Sequence, residues 1–118
     1  MNLTSEVKVS KRYFYIKLPS SEKAYLHYEI KDNVMELLET YTPPAYRGKG
    51  LAAKITSYAL EYAKEKGLRV KPICSYAIWF FIKHPEYKSL LVDEYRNIDL
   101  EELYRQRISE EKAKKVKQ

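Results

Sequence analysis

The sequence predicts a mixed α+β fold, and three observations predict it. Residues 7–41 carry period-two patterns divided by short turn signals, which is how antiparallel strands read. After Pro43-Pro44 the apolar residues switch to helical spacing and keep it to Gly67. A compact strand signal, Leu68-Arg69-Val70-Lys71-Pro72-Ile73, then follows the helix.

The elements take this order. Val7 to Leu18 reads as a first strand, with Val7, Val9, Tyr13 and Tyr15 on one parity and Phe14, Ile16 and Leu18 on the other. Pro19-Ser20-Ser21 is a turn signal. In the second strand Ala24, Leu26, Tyr28 and Ile30 alternate with Tyr25, His27, Glu29 and Lys31, so one face is buried and His27 falls on the surface. Asp32-Asn33 favours a tight turn, and Val34 to Tyr41 forms the third strand. The helix carries Leu51, Ala52, Ile55, Tyr58, Ala59, Tyr62 and Ala63 at helical spacing. It stops near Gly67, after lysines that suit the negative end of the dipole. Ser75 to Ile82 predicts a second helix, ended by His84-Pro85. A third begins at Asp99, an N-cap with Glu102 three residues on as in a capping box. Leu100, Leu103, Tyr104 and Ile108 give it a narrow apolar stripe. Glu110–Lys114 and Glu111–Lys115 stand as i,i+4 pairs on a solvated end. Residues 1–98 therefore read as one compact domain and 99–118 as a helical extension.

Composition narrows the class. With 118 residues the chain has the size of one domain, and 45% hydrophobic and 32% charged residues are ordinary for a globular protein. No apolar run approaches the roughly 20 residues of a membrane span. Met1 to Glu6 lacks the regions of a signal peptide. A lone cysteine, Cys74, excludes an internal disulfide. A cytoplasmic protein is the simplest expectation. Two separated histidines and one cysteine make no metal-ligand cluster. The net charge of +6 suits an anionic partner. The bases are dispersed, and no aromatic-basic motif of a nucleic-acid module accompanies them, so a phosphorylated cofactor is the better expectation.

The most informative feature is the turn Tyr46-Arg47-Gly48-Lys49-Gly50 between strand and helix. Glycines let the backbone approach a ligand, and the helix N-terminus behind them favours phosphate. A P-loop is excluded, because Gly50 follows Lys49 where Ser or Thr is needed and Pro43 replaces the first glycine. A dinucleotide fingerprint, Gly48-x-Gly50-x-x-Ala53, wants a preceding parallel strand and an acid about 20 residues on, and 68–76 holds no acid. Arg47, Gly50 and Ala52 match in register the acetyl-coenzyme-A signature Arg/Gln-x-x-Gly-x-Gly/Ala. In this turn the sequence resembles the GNAT superfamily of N-acetyltransferases. Pro72-x-Cys74-Ser75-Tyr76, with Lys83-x-Pro85, resembles its short stand-alone Yjdj-type subgroup over roughly residues 6–92. Two positions depart from the subgroup. Glu39 stands where His is common, and His84 where Asn is.

The resemblance implies a GNAT-like acyl-coenzyme-A N-acyltransferase fold: antiparallel strands, a helix, and a splayed parallel strand pair, Val34–Tyr41 with Leu68–Ile73. It implies that Tyr41 and Thr42 hold the pantetheine arm and that Gly48, Lys49, Gly50, Leu51 and Ala52, with Arg47, hold the pyrophosphate. Lys83 and His84 would lie near the coenzyme. The implied reaction is acetyl transfer from acetyl-coenzyme A to an amine acceptor. Glu39 is the candidate base, Tyr76 the candidate acid for the leaving thiolate, and Cys74 a candidate acetyl carrier by a covalent route. The chain is short for the family and lacks the early helices that help build the acceptor site. A coenzyme-A-binding module with little turnover is therefore the alternative. The acceptor is left open, as is the choice between monomer and homodimer, since the Leu100–Ile108 stripe can dock on its own domain or pair two subunits.

Overall fold

The structure, a computed structural model, describes residues 6–117. The reading of Met1 to Glu6 as lacking a signal peptide falls, but for Glu6, outside the described residues. One five-stranded sheet runs β1 (Lys8–Val9), β2 (Tyr13–Lys17), β3 (Lys23–Lys31), β4 (Val34–Tyr41), β5 (Arg69–Pro72) in spatial order. The first four strands pair antiparallel and β4 pairs parallel with β5. The crossover between β4 and β5 is α1 (Leu51–Glu65), and α2 (Ser75–Lys83), α3 (Asp93–Arg96) and α4 (Leu100–Lys117) follow β5. The mixed α+β expectation holds, with the splayed parallel pair and the extra C-terminal helix.

The single strand expected over Val7–Leu18 is two strands. Ser10 reverses the chain: its N–H donates to the Tyr13 carbonyl at 2.8 Å and its Oγ accepts the Tyr13 N–H at 3.1 Å. A serine that bonds its own backbone in this way competes with the ladder. Asp32 and Asn33, at φ 53° and 63°, make the two-residue hairpin turn joining β3 to β4. Both residues in the left-handed region define the turn whose twist matches the strands.

The core lies between one sheet face and α1. Phe14, Ile16, Ala24, Leu26, Met35 and Leu37 are buried on that face, and Ile55, Ala59, Leu60 and Ala63 cover it from α1. The helical stripe is rotated from the expected one: Leu60 and Thr56 are buried, whereas Tyr58 is 42% exposed. Ile30, expected inside, is exposed at the end of its strand. His27, expected at the surface, is half-buried and stacks on Tyr13 with centroids 4.9 Å apart.

The C-terminal helix also differs from expectation. Asp99 caps it, its Oδ1 accepting the N–H groups of Glu101 and Glu102 at 3.0 and 3.1 Å. Glu102 does not complete a capping box; its carboxylate takes Arg105 at 2.6 Å. Glu110 pairs with Arg107 at 2.9 Å instead of Lys114. Glu111 turns inward to α2, because α4 lies along α2 with Leu100 buried and Leu103, Tyr104 and Ile108 half-buried. The Lys115 side chain lies outside the described residues. The apolar stripe therefore docks on its own chain.

Candidate functional site

The site begins where β4 and β5 part. Pro72 is the last β5 residue in register, opposite Leu37. The Leu37 carbonyl then accepts both Ile73 N–H and Cys74 N–H, at 2.9 and 3.1 Å. With two donors on one carbonyl the parallel ladder stops, and β4 continues from Leu38 to Tyr41 without β5 beside it.

A bulge in β4 decides which side chains face this gap. Tyr28 pairs with Leu37 and His27 with Glu39, so Leu38 is the extra residue. The alternation that buries Met35 and Leu37 would carry Glu39 and Tyr41 inward and Thr40 outward. The bulge exchanges them. Thr40 now pairs with Leu26 on the α1 side, and Glu39 and Tyr41 join His27 and Tyr25 on the opposite face.

Past β4 the chain makes a short 3₁₀ turn, Pro44–Tyr46, and then the glycine loop. Arg47 Nε donates to the Thr42 carbonyl at 2.8 Å, so its guanidinium braces the loop from within. Gly48 and Gly50 have φ of +79° and +80°, and a Cβ at either would meet no atom within 4 Å. Glycine is needed there for backbone conformation, and the space beside it is open. Gly50 is also the N-cap of α1, with no side-chain cap. Its carbonyl receives the first helical bond, from Lys54 N–H at 3.0 Å. The N–H groups of Leu51, Ala52 and Ala53 therefore have no helical acceptor.

Loop, helix start and strand end enclose a cleft of about 430 Å³, lined by Thr40, Tyr41 and Thr42, by the loop and helix start from Tyr46 to Ala53 except Lys49, and by Tyr76. That volume lies within the range of small-molecule sites. Free N–H groups on the helix end and two left-handed glycines beside open space are the donor set that a pyrophosphate takes, so the residues present fit coenzyme A.

Of the predicted residues, Tyr41, Thr42, Arg47, Gly48, Gly50, Leu51, Ala52 and Tyr76 come together in the cleft; Lys49 is in the loop but not in the lining. Cys74 lies directly behind it, its Sγ 3.4 Å from Thr40 Oγ1. Burial pushes the Cys74 thiol above its ordinary value; Thr40 and backbone N–H groups act against this, and the Glu111 carboxylate adds to it. Burial also raises the Tyr76 phenol, with Cys74 contributing. Both groups thus hold their protons at neutral pH. Glu39 is exposed on the other face and accepts the Tyr25 hydroxyl at 3.4 Å. Lys83 and His84 stand at the far end of α2 from Tyr76, where His84 packs on Phe80 at 4.2 Å and lies 3.7 Å from Glu86. Sequence reasoning missed Tyr46, Ala53 and Thr40. The first two adjoin the motif; Thr40 was hidden by the bulge. Among the described residues no group of three or more His, Cys, Asp and Glu could hold a metal ion, and no helix is long and apolar enough to cross a membrane.

A sheet that splays beside a glycine loop and a helix start defines an acyl-coenzyme-A transferase type of fold, and residues 13–90 match the family described as GCN5-related N-acetyl-transferase. The chain belongs to that family. It is 35% identical over 82 residues to the Danio rerio protein NATD1, covering 65% of this chain and 74% of that one. The Bos taurus protein of the same name is 32% identical over 77 residues, 64% of this chain and 68% of its own. The NMR solution structure of a GCN5-like protein from Staphylococcus aureus superposes with a TM-score of 0.58 at 20% identity, over 83% of this chain and all of the other. That likeness is one of fold.

Proposed function

We propose that this chain is an acetyl-coenzyme-A-dependent N-acetyltransferase that passes the acetyl group directly to an amine acceptor. The observation that carries the reading is the cleft, in which uncapped N–H groups of α1 and two left-handed glycines meet the end of β4 that β5 no longer flanks. Coenzyme A supplies the acetyl group as a thioester. Leu51, Ala52 and the Gly48–Gly50 backbone, with Arg47 and Lys49 adding charge, bind its pyrophosphate. Tyr41 and Thr42 border the pantetheine arm, and Lys83 and His84 are outer candidates for contact.

An amine attacks only when neutral, so its proton needs an acceptor. Glu39 fills that role: its carboxylate is exposed, adjoins Thr40 and faces the side of the sheet opposite α1, from which an acceptor reaches β4 without crossing the coenzyme cleft. Tyr76 keeps its proton because burial raises its phenol, so it can donate to the departing thiolate. Cys74 also stays protonated, since burial is the largest influence on its thiol. A thiol in that state is a poor nucleophile, which favours direct transfer over a covalent carrier. Glu39 lies outside the cleft lining, and this keeps a coenzyme-A-binding module as the second reading.

The test is a panel of amines with acetyl-coenzyme A, followed by release of the free coenzyme. Glu39→Gln should lower turnover by about 10²- to 10⁴-fold with coenzyme binding unchanged. Cys74→Ala should retain turnover, with no acetyl adduct on the wild-type cysteine. Turnover that survives in Glu39→Gln removes the base assignment, an adduct that forms and decays at the turnover rate restores the covalent route, and tight coenzyme binding without turnover on any amine supports the binding module.

A further inference from the structure

The C-terminal helix lies outside the segment that matches the family, 13–90, yet two of its side chains grip the backbone of the site. Arg107 donates from its guanidinium to the Ile73 carbonyl, and Glu110 holds the same guanidinium at 2.9 Å. One turn on, Glu111 accepts Ser75 N–H at 3.0 Å and Ser75 Oγ–H at 2.7 Å. Arg107 and Glu111 are four residues apart and so share one face of α4. They seize the residues on either side of Cys74, and the residue after Ser75 is Tyr76, which lines the cleft.

The Glu111 contact is a cap delivered from another helix. α2 has no side-chain cap of its own, and Cys74 stands at its N-cap position. Ser75 N–H is one of the donors that such a helix start leaves over. A carboxylate there satisfies it and also offsets the positive end of α2 beside Cys74. From β4, the Leu37 carbonyl holds Ile73 and Cys74 from the other side. The turn joining β5 to α2 is thus fixed between β4 and α4.

Resting on the acetyl-transfer reading above, we propose that Arg107 and Glu111 are positioning residues of the acyl site. They set the turn that aims Tyr76 into the cleft, and the Glu111 carboxylate, held on Ser75 beside Cys74, adds to burial in keeping that thiol unreactive, so that the site runs by direct transfer. The groups facing that thiol are the Thr40 hydroxyl from β4, the Tyr76 phenol and the N–H groups of Tyr76 and Ala77 from α2, and Glu111 from α4. Glu111 is the one carboxylate among them.

Two readouts on the full chain test this: alkylation of Cys74 by iodoacetamide as a function of pH, and coenzyme A affinity by calorimetry. Glu111→Gln can keep an acceptor for Ser75 N–H and a donor for its Oγ while losing the charge. It should alkylate at neutral pH about threefold to tenfold faster than wild type, through a larger thiolate fraction. Its coenzyme affinity should stay within about twofold of wild type, because the turn is still held. Glu111→Ala and Arg107→Ala should weaken coenzyme A binding about tenfold as Tyr76 loses its aim. Glu102→Ala, on an exposed stretch of the same helix, should change neither. Wild-type alkylation in Glu111→Gln overturns the charge role, and wild-type affinity in both alanine variants overturns the positioning role. Should an alanine variant fail to fold, Glu111→Asp, which keeps the charge but is one methylene short of Ser75, should weaken coenzyme A binding about threefold to tenfold, and wild-type affinity there overturns the positioning role. If wild-type protein binds no coenzyme A, the acetyl-transfer reading falls, while the alkylation profile still decides the role of Glu111.

Discussion

Thr40 and Glu39 are adjacent and serve opposite sides of the sheet. Strand periodicity names the pair but assigns them the wrong faces, because one unpaired residue, Leu38, resets the alternation. A bulge leaves no mark in residue types, so this part of the site was illegible from sequence alone. The glycine loop was legible for the opposite reason. Gly48 and Gly50 occupy the left-handed backbone region, where other residues are strained, and so their identity records their conformation. At the same scale, Cys74 and Tyr76 give a pH dependence. Burial raises both above their ordinary values of 9.0 and 10.0. The native state therefore binds more protons than the unfolded chain at alkaline pH, and stability is fully present below the unfolded values and lost as pH rises through the folded ones. Denaturant midpoints should fall as pH is raised above about 9, and less steeply in Cys74→Ala. An equal slope in that variant contradicts the account.

Among the elements, the extent of α1, Leu51–Glu65, is legible between Gly50 and Gly67, because punctuation and period agree there. Its buried face was read about one residue out of phase: Leu60 and Thr56 are inside while Tyr58 is out. Large aromatic residues obscured the period, since Tyr58 and Tyr62 pack their ring edges on Phe14 at 6.0 and 5.2 Å from the margin of the core. α4 is legible in the sequence as a helix but not as a partner of the site, because local i,i+4 pairs explain its charges without reference to the rest of the fold. Tertiary contact turns Glu111 to Ser75 of α2 instead, and Glu110 pairs within the helix with Arg107. The N-cap of α1 gives a prediction at this scale. Gly50→Ala meets no atom within 4 Å, so its cost is backbone strain alone, about 1–2 kcal/mol. Urea unfolding should show that loss, and a neutral change would mean that the left-handed cap is not retained in solution.

At the scale of the molecule, the sequence supplied a sheet, a crossover helix and a phosphate-type turn. The splay came with the family resemblance, because strand separation depends on where Leu37 spends its carbonyl and not on any residue type. The Leu91 bridge to Val70, which adds a parallel edge beside β5, had no signal in a segment rich in turns. The fold places the open strand end, the glycine loop and the start of α1 around one cleft, and the central claim is that this cleft holds coenzyme A. Ala52→Glu tests it most directly. Ala52 lines the cleft in the first turn of α1, where a carboxylate favours the helix by about 0.3–1 kcal/mol. The same charge would meet the pyrophosphate. Titration calorimetry with acetyl-coenzyme A should show binding to wild type and its loss, by at least about a hundredfold, in a variant whose thermal stability is equal or higher. Wild-type affinity in folded Ala52→Glu, or no heat from wild type at all, would contradict the account.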